Sequence, residues 1–292
     1  MRHIINLWIA GLVSLLLLAG CGGQQTASND QANAAATTNA GSSSSSSPQT
    51  PSPETKQGEV LARVKQNGVL RVGFEGTYSP FNFLNDQNKF DGFDVDISNE
   101  VAKRLGVKAE FVATKWEGLI GGLNADKFDI IIAQMSITEE RKKSVDFTEP
   151  YVITGGVLAT RTDTNDVTKL DDIKGKAIGV GAGTTFEEVA SKVEGADVRK
   201  YKSMNDYLQD LVNKRLDVIM NDQLVLGYNI KTKNLPVKIV SDIINEDKIG
   251  MEIKKGNSDF VEAVNQVLAD IKKDGTYETV YKKWFGVSPT LK

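Results

Sequence analysis

Gly92-Phe93-Asp94-Val95-Asp96-Ile97 opens a stretch in which Ile97, Val101 and Leu105 recur every four residues and Gly106 follows. This spacing predicts an amphipathic helix over Asp94 to Leu105, with acids at the end where the helix dipole favours negative charge. Gly106 supplies the stop. Local chemistry accounts for these residues without any function: the acids suit a helix start, and the apolar side chains form its buried face. On either side lie apolar runs of strand length. Val69-Leu70-Arg71-Val72-Gly73 and Lys108 to Ala113 predict strands, and Trp116 to Leu123 a second helix. Phe128 to Ala133, with three consecutive isoleucines, predicts a buried strand. The alternation resumes with a strand at Lys176 to Val180, a helix at Phe186 to Val193 and a strand at Asp217 to Met220. A late helix spans Val261 to Ile271, with Val264, Val267 and Leu268 on the same face. Strand and helix alternating at this pace indicate an α/β chain with mainly parallel sheets.

Composition narrows the functional classes. The formal net charge of -3 over 292 residues provides no basic patch for nucleic acid or an acidic surface. One cysteine excludes an internal disulfide framework and any cysteine-based metal cluster. The single histidine is His3, within what reads as a cleaved leader. A mature chain without imidazole is poorly equipped for most hydrolase mechanisms and most transition-metal sites. No metal or cofactor is expected.

Ile4 to Leu18 are almost wholly apolar, too short a run to span a bilayer comfortably and of the length of a signal-peptide core. The run ends Leu18-Ala19-Gly20-Cys21, which resembles the site cut by lipoprotein signal peptidase. That resemblance implies a signal peptide over residues 1–20 and a lipid on Cys21. An ordinary secretory signal or an uncleaved anchor is the plainer alternative. From Gly22 to about Gln57 the composition falls to Gln, Thr, Ala, Ser, Asn and Pro, including Ser42 to Ser47. Such a segment buries too little apolar surface to offset its ordering entropy, so residues 21–57 read as a lipidated disordered tether.

Gly179-Val180-Gly181-Ala182-Gly183-Thr184-Thr185 lies between a predicted strand and a predicted helix. Backbone N–H groups at a helix start suit an anion. The spacing is neither the G-x-G-x-x-G of a dinucleotide site nor a P-loop. A turn without ligand fits it as well.

Several motifs resemble, in order and spacing, the family-3 bacterial extracellular solute-binding proteins that serve polar amino-acid ABC importers. Besides the Gly92 to Ile97 stretch these are Glu75-Gly76-Thr77-Tyr78-Ser79-Pro80-Phe81, Ser136-Ile137-Thr138-Glu139-Glu140-Arg141-Lys142, Asp146-Phe147-Thr148-Glu149-Pro150-Tyr151 and Lys283-Trp284-Phe285-Gly286. The likeness runs from about residue 58 to the end. It implies an α/β, two-lobed periplasmic-binding-protein-like fold of type II, each lobe a mainly parallel sheet flanked by helices. Two hinge crossovers are implied near Tyr151 to Gly155 and Asp247 to Met251. Residues 58–152 plus 250–292 would make a discontinuous first lobe, and 153–249 the second.

The same resemblance implies the site. Arg141 becomes a clamp for the ligand's carboxylate, since a guanidinium can grip that group with two parallel hydrogen bonds. By composition alone Arg141 is one more charge in an exposed run. Gly181, Thr184 and Thr185 share the carboxylate. Asp222, beside Asn221, takes the α-ammonium with the Ser136 hydroxyl, although Asp222 serves equally well as a helix N-cap for Leu224 to Tyr228. Tyr78 and Trp116 map to aromatic walls around the ligand side chain, where ordinary core packing is the alternative. The motifs look most like the cystine-binding branch. Glu75, near Tyr78, suits a ligand with a positive distal end, while Gln134 and Asn221 offer donors to a second carboxylate. Basic amino acids and glutamine are the alternatives, and Glu75 as a solvent-facing turn residue is the plain one.

The implied partners are an amino acid, cystine favoured, the permease subunits of an ABC importer, and a membrane reached through Cys21. A monomer is expected, on the outer face of a Gram-positive cell or in a periplasm. Two other classes stay open: a cyclohexadienyl dehydratase-like enzyme, for which Glu75 is the obvious acid, and a sensing or adhesive lipoprotein without transport. The leader gives a direct test. Mass spectrometry of the processed protein should find a lipid on Cys21, and Cys21→Ala should leave an unprocessed or released form; an unmodified Cys21 refutes the assignment.

Overall fold

All seven residues of the strand Ile130–Ser136 are buried, as its isoleucine run requires. The protein is described here by a computed structural model over residues 58–289; the leader, Cys21 and the tether lie outside the described residues. Ile130–Ser136 pairs in parallel with Val69–Phe74, which pairs residue for residue with Lys108–Ala113, from Val69 opposite Lys108 to Phe74 opposite Ala113. The pattern repeats further along the chain. Ala177–Gly181 lies between Asp197–Tyr201 and Val218–Asp222, parallel to both.

Two ten-residue strands, Val152–Arg161 and Asn245–Lys254, join these halves. They run antiparallel to each other, with Asp247 opposite Thr154 and Ile249 opposite Val152, so the chain crosses twice at one place. Each also pairs with one half, so that a single ten-stranded sheet results. This is the α/β, two-lobed type II fold. The two crossings lie near Val152 and Ile249, where the family motifs imply them.

Helices cover the sheet with the faces that their periodicity sets. Phe93–Arg104 buries Phe93, Ile97, Val101 and Ala102, and Ser258–Lys273 buries Phe260, Val264, Val267, Leu268 and Ile271. Full burial of one such side chain contributes about 1.5–3 kcal/mol. Phe93 is also the centre of an aromatic cluster. Its ring stacks on Tyr151 at 6.1 Å and meets Phe81, Tyr277, Tyr281 and Phe285 within 6.0 Å. Tyr277, Tyr281 and Phe285 belong to the last helix, Thr276–Phe285, which is how the end of the chain returns to the first lobe.

One expectation needs adjustment. The helix over Trp116 to Leu123 is a 3-10 turn, Trp116–Gly118, followed by a short α-helix, Leu119–Asn124. The break falls at Gly118, the last residue of the 3-10 turn, and Gly121 and Gly122 lie inside the α-helix. Gly122 cannot carry a side chain, because a Cβ there would lie 2.8 Å from the Phe128 ring, and glycine weakens a helix interior. The small sheet of Thr77–Tyr78, Asn82–Leu84 and Phe90–Asp91 was not legible, since strands of two or three residues show no alternation.

Gly92 holds the junction between that small sheet and the helix Phe93–Arg104. Its φ is +129°, and a Cβ would sit 2.2 Å from the Phe81 carbonyl oxygen. Neither the dihedral nor the contact tolerates a methyl. Gly92→Ala is expected to destabilise the fold by roughly 2–4 kcal/mol. Denaturant titration checks this, and a wild-type midpoint would show that the junction relaxes freely.

Candidate functional site

A cleft opens where the C-terminal ends of the parallel strands of both lobes face each other, the usual place for a ligand in open α/β sheets. The cavity offers about 50 Å³ to water-sized molecules. From the first lobe it is lined by Glu75, Tyr78, Trp116, Ala133, Gln134, Ser136 and Arg141. The second lobe supplies Gly181, Ala182, Thr184, Thr185, Phe186 and Asn221, with Tyr201 to Met204 and Tyr207. Every ligand-site residue singled out in the sequence lines this cleft except Asp222, which lies wholly buried behind the wall.

Arg141 is placed by the short helix Glu139–Lys142, which Thr138 caps by accepting from the Arg141 backbone N–H. The guanidinium donates to the Ser136 carbonyl at 2.8 Å and to the Gly183 carbonyl at 3.1 Å. It lies over the Trp116 ring, 5.5 Å from its centre. Among the described residues, three of the five guanidinium N–H donors have no acceptor. Burial lowers the pKa of Arg141, while Glu252, Glu188 and Asp247 oppose that shift.

The glycine-rich loop is held by a reciprocal cap. Thr184 accepts from the Glu187 N–H at 3.3 Å, and the Glu187 carboxylate accepts from the Gly183 N–H at 2.7 Å. Thr184 Oγ1 also donates to the Gly181 carbonyl at 2.7 Å. Thr185 Oγ1 donates to Asp247 at 3.3 Å and lies 3.5 Å from Ser136 Oγ.

Asp222 caps the helix Gln223–Thr232, accepting from the N–H groups of Leu224 at 2.8 Å and Val225 at 3.2 Å. The capping role that its local sequence allowed is therefore present. The other carboxylate oxygen accepts from the Gln134 side-chain amide at 3.1 Å, across the cleft. Burial pushes this carboxyl up to about 6, against the pull of those backbone donors.

Tyr78 donates to Asn221 Oδ1 at 2.5 Å, and the Asn221 amide donates to the Tyr207 hydroxyl. Burial raises the pKa of both tyrosines, so each stays a neutral hydroxyl. Glu75 is half-buried and accepts from Thr77 at 2.7 Å; burial raises its pKa, with Glu117 adding to the shift. Gln134 adopts a left-handed backbone, φ +55°, uncommon for a residue with a side chain and characteristic of functional sites.

Residues 70–287 match the bacterial extracellular solute-binding proteins, family 3. The chain belongs to that family. It is 39% identical over 233 residues to the L-cystine-binding protein TcyJ of Escherichia coli strain K12, covering 79% of this chain and 88% of that protein. It is 35% identical over 278 residues to the L-cystine-binding protein TcyA of Bacillus subtilis strain 168, covering 94% of each. Among solved structures, an ancestral arginine-binding protein bound to arginine aligns with a TM-score of 0.72 and 41% identity, over 75% of this chain and 99% of that one. As a family member this chain is an extracytoplasmic solute-binding protein.

Sequence reasoning missed the segment from Tyr201 to Tyr207. A signal was available: Ser203 followed three residues later by Asp206 is a helix-start pattern, and Ser203 does cap Met204–Val212.

Proposed function

We propose that this protein is the lipid-anchored amino-acid receptor of an ABC importer, binding L-cystine between lobes that close on it. The carrying observation is the charge arrangement of the cleft. Arg141 lines the cavity from one lobe, Asp222 lies buried behind its wall on the other, and Glu75 lines it near the aromatic pair Tyr78 and Tyr207. An amino acid's carboxylate goes to Arg141, Thr184, Thr185 and the Gly181 loop, and its α-ammonium to Asp222 and the Ser136 hydroxyl. Tyr78 and Trp116 enclose the side chain. Glu75 meets the distal ammonium, and the amides of Gln134 and Asn221 lie within the same chamber. The two relatives described as L-cystine-binding proteins support this ligand.

Residues 58–152 with 250–292 act as one lobe and 153–249 as the other, hinged at the paired crossover strands. Contacts from both lobes to one ligand supply the differential affinity that closure needs. Cys21 carries the lipid and residues 22–57 the leash. The receptor works as a monomer and performs no turnover: Glu75 is the only acid among the lining residues, with no imidazole beside it. Basic amino acids are the second reading, favoured by the arginine-bound relative and by the negative charge of Glu75.

Competition calorimetry decides between them. Cystine is expected to bind more tightly than arginine, lysine or glutamine, and a large preference for any of these refutes the cystine reading. Arg141→Ala should cost roughly 2–5 kcal/mol of binding, because it leaves a desolvated carboxylate unpaired. The melting temperature of the free variant should stay near wild type. Undiminished binding by this variant removes the clamp.

Affinity should also depend on pH in a defined direction. Asp222 titrates at about 6 in the free protein, so below that pH a proton must leave before an ammonium can bind. The ammonium-bound carboxylate holds its proton less well, so binding releases protons in that window. Affinity should fall by up to about tenfold per pH unit below 6 and stay level above it. Calorimetry in buffers of different ionisation enthalpy reads the proton release directly, and affinity constant from pH 7 to pH 5 would contradict the role of Asp222.

A further inference from the structure

Three residues lining the cleft carry a full charge: Glu75, Arg141 and Lys202. Lys202 follows the strand Asp197–Tyr201 and precedes Ser203, so it enters the cavity from the second lobe. Its backbone is fixed on both sides. The Ala182 N–H donates to the Tyr201 carbonyl at 2.8 Å, which stitches this turn to the glycine-rich loop, and Ser203 accepts from the Asn205 N–H at 3.2 Å. Ser203 is thereby spent as a helix cap, which leaves the lysine as the turn's free polar group.

Lys202 makes no ion pair among the described residues, although many exposed lysines of this protein do, such as Lys142, Lys143 and Lys200. Glu75, reaching the cavity from the first lobe, has the Thr77 hydroxyl as partner and no cation. Among the lining residues the cleft therefore has one anion, Glu75, and two cations, Arg141 and Lys202, while Asp222 is buried behind the wall. A ligand with a single carboxylate meets Arg141 and leaves Lys202 without an anion. Arginine or lysine offers Glu75 a distal cation but brings it into the cavity that Lys202 also lines. A ligand with two carboxylates offers one to each cation and still has an ammonium for Glu75.

We propose that Lys202 is the specificity-determining residue of this cleft, receiving the distal carboxylate of a diamino-dicarboxylic acid and rejecting basic amino acids by like charge. This rests on the receptor reading above and adds to it the element that Glu75 alone lacks, since Glu75 welcomes any distal cation. A lysine suits the role. Its compact charge on a flexible four-carbon stem can follow a carboxylate at the end of a long ligand without a fixed fork geometry. Selectivity then comes from an attraction and a repulsion together, as discriminating sites commonly require.

The test uses three probes on the full chain: L-cystine, arginine, and the mixed disulfide of cysteine with cysteamine, which keeps cystine's distal ammonium and lacks its distal carboxylate. Titration calorimetry is run on wild type, Lys202→Gln and Lys202→Glu, with melting temperatures confirming that this exposed position leaves the fold intact. Wild type should prefer cystine to the mixed disulfide by about tenfold or more, the worth of a charge-assisted contact. Lys202→Gln should narrow that gap to about threefold or less, and Lys202→Glu should reverse it while strengthening arginine. Wild-type preference for cystine with all ratios unchanged in Lys202→Glu overturns the assignment of Lys202 and leaves the cystine receptor standing. Wild-type preference for arginine over cystine overturns both.

Discussion

Asp94 is wholly buried in the first turn of the helix Phe93–Arg104, and each of its carboxylate oxygens accepts from a side chain. Tyr151 O–H donates to one at 2.7 Å, and the Asn82 amide donates to the other at 2.7 Å. Both partners are thereby committed. The tyrosine, having given its proton, accepts from the Gln134 backbone N–H at 3.0 Å. The asparagine, having given its N–H, accepts from the Gly76 N–H at 2.8 Å through its carbonyl oxygen. One carboxylate thus fixes the left-handed turn at Gln134 on the cleft floor and the turn at Gly76 between Glu75 and Tyr78. Burial pushes the Asp94 carboxyl up to about 7, against the two donors that favour its charged form. A buried network of this kind rigidifies only while each member is satisfied.

This constraint explains which parts of the molecule could be read in the sequence. Elements with long apolar periodicity were legible: the strand Lys108–Ala113 occupies its expected residues, and the late helix buries the expected face. Arg141 and Trp116 were found because motif order gave them a place that composition did not. The Gly92 to Ile97 stretch was read as a helix start with a buried face. That is true of Phe93 and Ile97, but Asp94 does more than suit a helix dipole. No local pattern reveals that its partners come from Asn82 and Tyr151, residues brought together by tertiary packing. Lys202 and Tyr207 escaped for the same reason, because their significance lies across the cleft.

The cleft also joins the lobes through polar contacts that carry chemical meaning. Tyr78 to Asn221, Gln134 to Asp222, and Arg141 and Trp116 to the Gly183 carbonyl all link one lobe to the other. Asn229, on the helix that Asp222 caps, adds a contact to the Ser79 carbonyl at 2.9 Å beyond the cavity. The bonds between neutral groups contribute about 0.5–1.5 kcal/mol each against solvent, and those to Arg141 and Asp222 about 1.5–3 kcal/mol.

Whether Arg141 can serve an anion depends on what lies beneath it. Glu252, on the crossover strand Asn245–Lys254, is wholly buried, and neither carboxylate oxygen has a hydrogen-bond partner among the described residues. An ionised acid there would neutralise the guanidinium and compete with a ligand's carboxylate for it. Burial instead carries the Glu252 carboxyl well above the usual range, and the field of Arg141 opposes that shift only in part. Desolvation therefore drives the acid towards its neutral form, in which it attracts the arginine weakly. The guanidinium keeps its charge and its free donors for the cavity, because the neighbouring acid is too deeply buried to claim them.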